Sequence, residues 1–235
     1  MTTTLITGAN KGLGFETARR LVAAGHTVFV GGRDPERARR AADALGARHV
    51  VIDVTDDKSV AAAVRDVEAE GGLDVLVNNA GIETRTSDNG VPGAADVTPG
   101  MARDLFETNV FGVVRVTHAF LPLLRRSAAP VVVNVSSGLG SLTRMSDPGT
   151  LGSAYPGLEY PASKAAVNMI TLQYAKAFPQ MRVNAADPGF TKTDLNGRTG
   201  TQTVEEGAEI IVRLAQVGPD GPTGGYFAAD GPVPW

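Results

Sequence analysis

The sequence predicts one α/β domain, doubly wound, with a parallel sheet of about seven strands covered by helices on both faces. Two observations carry that prediction. Short runs rich in Val, Ile and Thr, among them TTLIT, HTVFVGG, LDVLVNNAG and PVVVNVSS, recur along the chain. They are apolar almost throughout, as strands buried on both faces are. Segments with helical periodicity lie between them, and no shift in composition and no internal repeat splits the 235 residues, so residues 1–235 are read as a single domain. A chain of this length buries a substantial core without staples.

Residues 3–7 are the first strand and end at Gly8. A helical pattern runs from Gly12 through Leu13, Thr17, Leu21 and Val22 until Gly25, a C-terminal stop. Residues 26–32 form a second strand, and Pro35 opens a helix rich in Arg and Ala. A third strand over 48–54 precedes a helix near 56–69, and a fourth over 73–81 runs into a polar turn. The Gly- and Pro-rich loop 84–100 leads to one long helix over roughly 100–124. Residues 130–137 form a strand ending in hydroxyls, and an irregular stretch of small residues, 138–158, separates it from the helix that holds Tyr160. A sixth strand (181–187), a turn at Pro188–Gly189, a helix over 204–216 and a final strand over 224–230 complete the order.

Composition removes several classes of function. The chain has no cysteine, so disulfides, iron–sulfur clusters and thiolate zinc sites are excluded. A net charge of −3 leaves no basic footprint for nucleic acid. No apolar run reaches the length of a membrane helix, and MTTTLITGAN has neither the basic nor the apolar region of a signal peptide. The expected location is cytoplasmic. His26, His49 and His118 have no spacing suited to a metal or a triad, so no metal site is expected.

A strand, a glycine turn and a helix form the unit that binds a pyrophosphate: the glycines let backbone approach the ligand, and the helix N-terminus supplies N–H groups. Here the turn is TGANKGLG, with Gly8, Gly12 and Gly14 spaced as G-x-x-x-G-x-G. The end of the second strand selects the dinucleotide, a carboxylate for the ribose 2′-OH of NAD or a cation for the 2′-phosphate of NADP. In VGGRD, Gly32 occupies the acidic position and Arg33 follows it, while Lys11 adds a second cation from the glycine turn. Asp34 precedes Pro35 and reads as a helix N-cap. NADP(H) is favoured over NAD(H).

The stretch EYPASKAAVN, 159–168, sets Tyr160 and Lys164 four residues apart, on one face of a helix. An isolated tyrosine has a pKa of about 10, and a neighbouring ammonium favours its phenolate, bringing it towards useful acid–base chemistry. The spacing alone also describes a solvated surface pair. Pro161 fits a helix only in its first turn, which places Tyr160 at the helix start.

The motifs TGxxxGxG (7–14), NNAG (78–81), Asn109, NVSS (134–137), YxxxK (160–164) and PG (188–189) occur in an order that resembles the short-chain dehydrogenase/reductase family over nearly the whole chain. PGFTKTD, VEEGA and the final DGPTGGYFAADGPVPW look most like its carbonyl-reductase-like branch. The resemblance implies a Rossmann-type fold and a small-molecule carbonyl or alcohol as substrate. It implies a catalytic tetrad of Asn109, Ser137, Tyr160 and Lys164. Tyr160 is then the proton donor or acceptor and Ser137 the hydrogen-bond donor to the substrate oxygen. Lys164 binds the nicotinamide ribose and lowers the Tyr160 pKa, and Asn109 holds a water behind it. The cofactor contacts implied are Gly8, Asn10, Lys11, Gly12, Leu13, Gly14, Arg33, Asp53, Val54, Asn79, Ala80, Gly81, Tyr160, Lys164, Pro188, Gly189, Thr191 and Thr193. Ser136 is assigned to backbone hydrogen bonding, and Asp53 either meets the adenine or caps the following helix.

Ser137 and Tyr160 are 23 positions apart, more than in most of that family. Leu142, Met145, Leu151 and Tyr155 in the extra stretch offer apolar surface for a pocket wall, although a surface insertion is equally consistent. In longer form such an insertion marks monomeric carbonyl reductases, so both a monomer and a homo-oligomer stay open. The polar segment within about 190–204 is either a lid over the substrate or an inert loop. The other reading from a different class is a non-catalytic NADP(H)-binding sensor on the same fold; such proteins typically lose the Tyr or Lys kept here.

Overall fold

The computed structural model describes residues 1–235, the side chain of Leu151 excepted. The strands are β1 (Thr3–Ile6), β2 (Thr27–Gly32), β3 (Arg48–Val51), β4 (Val75–Asn78), β5 (Val131–Val135), β6 (Arg182–Ala186), β7 (Tyr226–Ala228) and β8 (Gly231–Pro232). They form one sheet in the order β3-β2-β1-β4-β5-β6-β7-β8. The seven predicted strands are present and parallel; β8 is an addition, antiparallel to β7. Two residues carry no periodicity, which is why the sequence does not announce it.

The helices are α1 (Gly12–Ala23), α2 (Pro35–Leu45), α3 (Asp57–Ala69), α4 (Pro99–Phe106), α5 (Gly112–Leu124), α6 (Leu142–Ser146), α7 (Glu159–Ala177) and α8 (Val204–Ala215). Successive strand residues point to opposite faces, and the core divides accordingly. Leu5, Phe29, Leu76, Val132 and Val183 pack in the layer that includes Val60 of α3 and Phe120 of α5. Ile6, Val28, Val30, Val77 and Val133 pack in the layer that includes Leu21 of α1 and Ile211 of α8. Leu5, Leu76 and Phe120 are wholly buried. Strand order reverses between β1 and β4, and ligands of open α/β sheets bind in the crevice at such a point.

Three local features depart from or sharpen the sequence reading. The predicted helix over 100–124 is interrupted by a π-helical turn, Glu107–Phe111, between α4 and α5. The apolar period continues through it, so the sequence carries no mark of the break; π turns recur at functional sites. The N-cap of α2 is Asp34, whose carboxylate accepts from the Arg37 N–H at 3.0 Å, as expected. α3 is capped by Asp56, not Asp53: Asp53 instead accepts from the N–H and hydroxyl of Thr55, closing a turn just before the helix. Residues 138–158 contain a 3-10 turn at Gly138–Gly140, α6 and a second 3-10 turn at Leu151–Ala154. Among the described residues, no helix is long and apolar enough to cross a membrane.

Candidate active site

The glycine turn leaves β1 and enters α1 at the switch point. Gly8 and Gly12 adopt φ of +64° and +56°, where side chains are strained. Gly14 is constrained differently: a Cβ there would lie 2.5 Å from Asn79 Nδ2 and 2.8 Å from the Gly8 carbonyl oxygen. The turn is thereby pressed against the NNAG segment. Asn79 Nδ2 donates to the carbonyls of Thr7 and Gly8 at 2.8 and 3.1 Å, and the Thr7 hydroxyl accepts from the N–H groups of Asn79 and Ala80, both at 3.0 Å. No side chain caps α1, and its first turn holds no acidic residue. An anion at that N-terminus would meet unfilled N–H groups.

At the rim, Gly32 faces Asn10, whose Oδ1 is 3.7 Å from where a Cβ would stand. Arg33 is exposed. Burial raises the Asp53 carboxyl, but the Thr55 bonds together with the charges of Arg33 and Arg115 outweigh it and hold Asp53 below its ordinary value. Val54 is buried and packs on Gly112, where a Cβ would come within 2.9 Å of its Cγ2. Its side chain serves the core and leaves only backbone to face a ligand. Lys11 pairs with Asp194 at 2.9 Å.

Deeper in, Ser137 follows β5, and Tyr160 is the second residue of α7, with Pro161 in the first turn as expected. Tyr160 and Lys164 are 8% and 6% exposed, so they are not a solvated surface pair. Lys164 Nζ lies 5.6 Å from the centre of the Tyr160 ring and donates to the Val135 carbonyl at 2.8 Å. Gly81 adjoins both Asn109 and Lys164: a Cβ on it would lie 3.4 Å from Asn109 Oδ1 and 3.7 Å from Lys164 Nζ. Asn109, on the π turn, accepts from the Ile82 N–H at 2.8 Å and donates to the Ile82 carbonyl at 2.9 Å and to Ser163 at 3.2 Å. Its amide is therefore committed to bracing the segment after β4. Ser136 donates to Asn168 Oδ1 at 2.6 Å, with the Lys164 carbonyl at 3.4 Å. Its main partner is a side chain rather than the expected backbone.

Burial pushes the Tyr160 phenol up. The Glu83 carboxylate adds to that effect and the nearby Ser137 hydroxyl opposes it. Lys164 is brought down to about 8 by burial, with Glu83 acting in the other direction. Desolvation is the larger influence on both groups, and Lys164 is not among the groups that shift Tyr160 here.

The insertion reaches the site at its far end. Tyr155 meets Glu83, which also pairs with Arg85, and the Ala94 N–H donates to the Pro156 carbonyl at 3.0 Å. Arg144 of α6 pairs with Asp187 at 3.2 Å. Leu142 is 72% exposed and forms no wall, and the side chain of Leu151 lies outside the described residues. After β6, Gly189 turns at φ +70°. Thr191 is buried, donates to the Pro188 carbonyl at 2.9 Å and accepts from Gln202 at 2.8 Å. Thr193 opens a short 3-10 turn, Asp194–Asn196, and its methyl group is the nearest neighbour of Gly12, 3.8 Å from an added Cβ.

Residues 2–204 match the family model for short chain dehydrogenases. The chain belongs to the short-chain dehydrogenase/reductase family. It is 42% identical to the short-chain dehydrogenase anuI of Penicillium roqueforti, covering 91% of this chain and 88% of that protein. It is 32% identical to a (+)-neomenthol dehydrogenase of Arabidopsis thaliana, covering 95% of each. In structure it is similar to NADPH-bound carbonyl reductase from chicken fatty liver, with a TM-score of 0.86, 27% identity and coverage of 100% and 99%. This short-chain dehydrogenase/reductase is an oxidoreductase acting between carbonyl and alcohol, and its family binds a nicotinamide cofactor.

The residues present fit such a cofactor. α1 offers an uncapped N-terminus beyond a tight glycine turn, and buried Lys164 retains ammonium hydrogens beyond the one given to Val135. Sequence reasoning missed four residues of this short-chain dehydrogenase/reductase. Thr7 and Ser163 lie inside the quoted motifs, and the hydroxyl of each binds a neighbouring motif. Glu83 and Tyr226 carry no local signal: only the folded chain brings them to the site.

Proposed function

We propose that the protein reduces a ketone or aldehyde to an alcohol with NADPH, or runs the reverse reaction, using Tyr160 as proton donor or acceptor. The observation that carries this reading is the convergence, beyond the ends of β4 and β5, of Tyr160, the Ser137 hydroxyl and Lys164 in a buried setting. When bound, the nicotinamide supplies the hydride. The glycine turn with Gly8, Gly12 and Gly14 holds the pyrophosphate, Asn79, Ala80 and Gly81 line a ribose, and Pro188 to Thr193 border the nicotinamide end. Arg33 at the end of β2 answers the 2′-phosphate of NADPH.

Ser137 donates a hydrogen bond to the substrate oxygen and stabilises the charge that grows there. Tyr160 then passes its phenolic proton to that oxygen. A phenol held above its ordinary value keeps its proton at neutral pH, the state a donor needs. Alcohol oxidation needs the phenolate and is favoured by alkali. Lys164 binds the ribose and stands behind Tyr160. The Asn109 amide gives both of its hydrogens to Ile82 and Ser163 and accepts from Ile82 at Oδ1, and the second lone pair of Oδ1 is open to a water behind Lys164.

The test is loss of NADPH absorbance against a panel of ketones and aldehydes, with Tyr160→Phe beside the wild type. Turnover that disappears in the variant while NADPH binding persists is expected. Substantial activity in Tyr160→Phe overturns the assignment, and NADPH binding without reduction of any carbonyl replaces it with the sensor.

A further inference from the structure

Ser137 is the first residue to leave the sheet. Ser136 is still held there, its N–H donating to the Ala186 carbonyl at 2.7 Å. Gly138 and Gly140 follow Ser137 and have no side chains to brace it. Both are required by close approach: a Cβ on Gly138 would lie 2.9 Å from Asp187 Oδ2, and one on Gly140 would lie 2.8 Å from the Lys164 carbonyl carbon. Within the turn the Ser137 hydroxyl has one long contact, accepting from the Leu139 N–H at 3.3 Å, and the peptide that carries it is held from outside as well.

The brace comes from the far edge of the sheet. Tyr226 of β7 is 2% exposed, and its hydroxyl donates to the Ser137 carbonyl at 2.5 Å. The same carbonyl accepts from the Gly140 N–H at 2.7 Å, so both of its lone pairs are engaged. Tyr226 is held in turn by Trp235, whose ring stacks on it with centroids 5.5 Å apart and planes at 21°. Residues 231–235 fold back as a strap across the start of the insertion. Ser141 donates to the Pro234 carbonyl at 2.6 Å, and the hydroxyl and N–H of Thr143 reach the Trp235 carbonyl at 2.6 and 3.0 Å.

We propose that Tyr226, braced by Trp235, is a positioning residue for Ser137: it fixes the Ser137 peptide and so directs the hydroxyl at the carbonyl oxygen. This rests on Ser137 being the hydrogen-bond donor to substrate, as proposed above. Misplacing a catalytic group by about 1 Å costs on the order of a hundredfold in rate, so a lost brace is read in kcat. Tyr226→Phe keeps the ring and its stacking and removes only the hydroxyl.

The experiment compares wild type, Tyr226→Phe, Ser137→Ala and the double variant by kcat, KM for NADPH and thermal midpoint. Tyr226→Phe is expected to lower kcat about tenfold, with KM for NADPH nearly unchanged. In the Ser137→Ala background the same substitution is expected to cost less than about twofold, because its target is gone. Trp235→Ala should behave like Tyr226→Phe, and Trp235→Phe should recover most of what Trp235→Ala loses. A Tyr226→Phe protein that does not fold leaves the Trp235 pair, measured in both backgrounds, as the same test. Wild-type kcat in Tyr226→Phe, or an equal fold loss in both backgrounds, overturns this proposal alone. Undiminished turnover in Ser137→Ala overturns the reading of Ser137 and this proposal with it.

Discussion

Tyr155 donates its hydroxyl to Glu83 at 2.6 Å, joining the insertion to the loop that follows β4. The Glu83 side chain is 5% exposed, and Arg85 takes its other oxygen. Burying a carboxylate is costly unless it is paired and hydrogen-bonded, and these two partners offset that cost. The insertion is therefore tied to a charge that the candidate catalytic pair feels.

Glu83 acts on both members of that pair, adding to the burial that raises Tyr160 and opposing the burial that lowers Lys164. Glu83→Gln is expected to let both titrate at lower pH, so the alkaline limb of the pH–kcat profile moves down in pH. An unmoved limb would separate Glu83 from the catalytic pair. Tyr155→Phe keeps the carboxylate and loses one hydrogen bond to it, about 1.5–3 kcal/mol. Its expected signature is a lower thermal midpoint with the pH profile in place.

The two cations proposed for the 2′-phosphate are not equivalent. Lys11 already has Asp194 at 2.9 Å, whereas Arg33 has no carboxylate within salt-bridge distance among the described residues. Arg33→Ala is expected to weaken NADPH by about 10- to 100-fold, the range of a lost charge-assisted contact, with little change for NADH. Lys11→Ala should cost less, because Lys11 gives up Asp194 to reach the phosphate. Fluorescence titration of both cofactors with each variant decides it, and equal losses for NADPH and NADH from Arg33→Ala refute the 2′-phosphate role.

Most of the fold could be read from the sequence because its signals are local. The continuous apolar runs locate seven strands, Asp34–Pro35 marks a cap, and Pro161 marks the start of α7. The π turn at Asn109 escaped because its apolar spacing fits an unbroken helix as well. The inward placement of Tyr226 and Glu83 escaped for another reason. Tyr226 reaches Ser137 from 89 residues away, and Tyr155 reaches Glu83 from 72, with no motif linking either pair. The spacing of Tyr160 and Lys164 carries their mutual charge effect but no measure of their desolvation, which burial makes the larger effect.

The packing of the glycine turn against NNAG makes Gly14 a sharp test. Gly14→Ala would place a methyl group 2.5 Å from Asn79 Nδ2 and 2.8 Å from both Gly8 O and Ala9 Cα, all on parts with little room to move. Overpacking of this kind costs about 1–3 kcal/mol. The variant is expected to unfold at lower temperature and to bind NADPH and NADH equally poorly. Wild-type affinity for both would show that the Asn79–Gly8 contact does not shape the cofactor turn.

The buried Lys164 predicts a stability change with a definite sign. Burial brings it to about 8 in the folded protein, against 10.5 for an ordinary lysine. Between these values the unfolded chain binds more protons, so the Lys164 contribution to folding stability rises with pH. Below pH 8 the penalty of burying the ammonium is present in full. Lys164→Met removes the titrating group and leaves the other buried residues unchanged. The stability of wild type minus that of the variant is expected to grow across the window by up to roughly 3 kcal/mol. Urea unfolding of both proteins at steps through that range measures the difference directly. A difference independent of pH would mean that Lys164 titrates alike in the folded and unfolded chains, and that its burial beside Tyr160 is not felt by its proton.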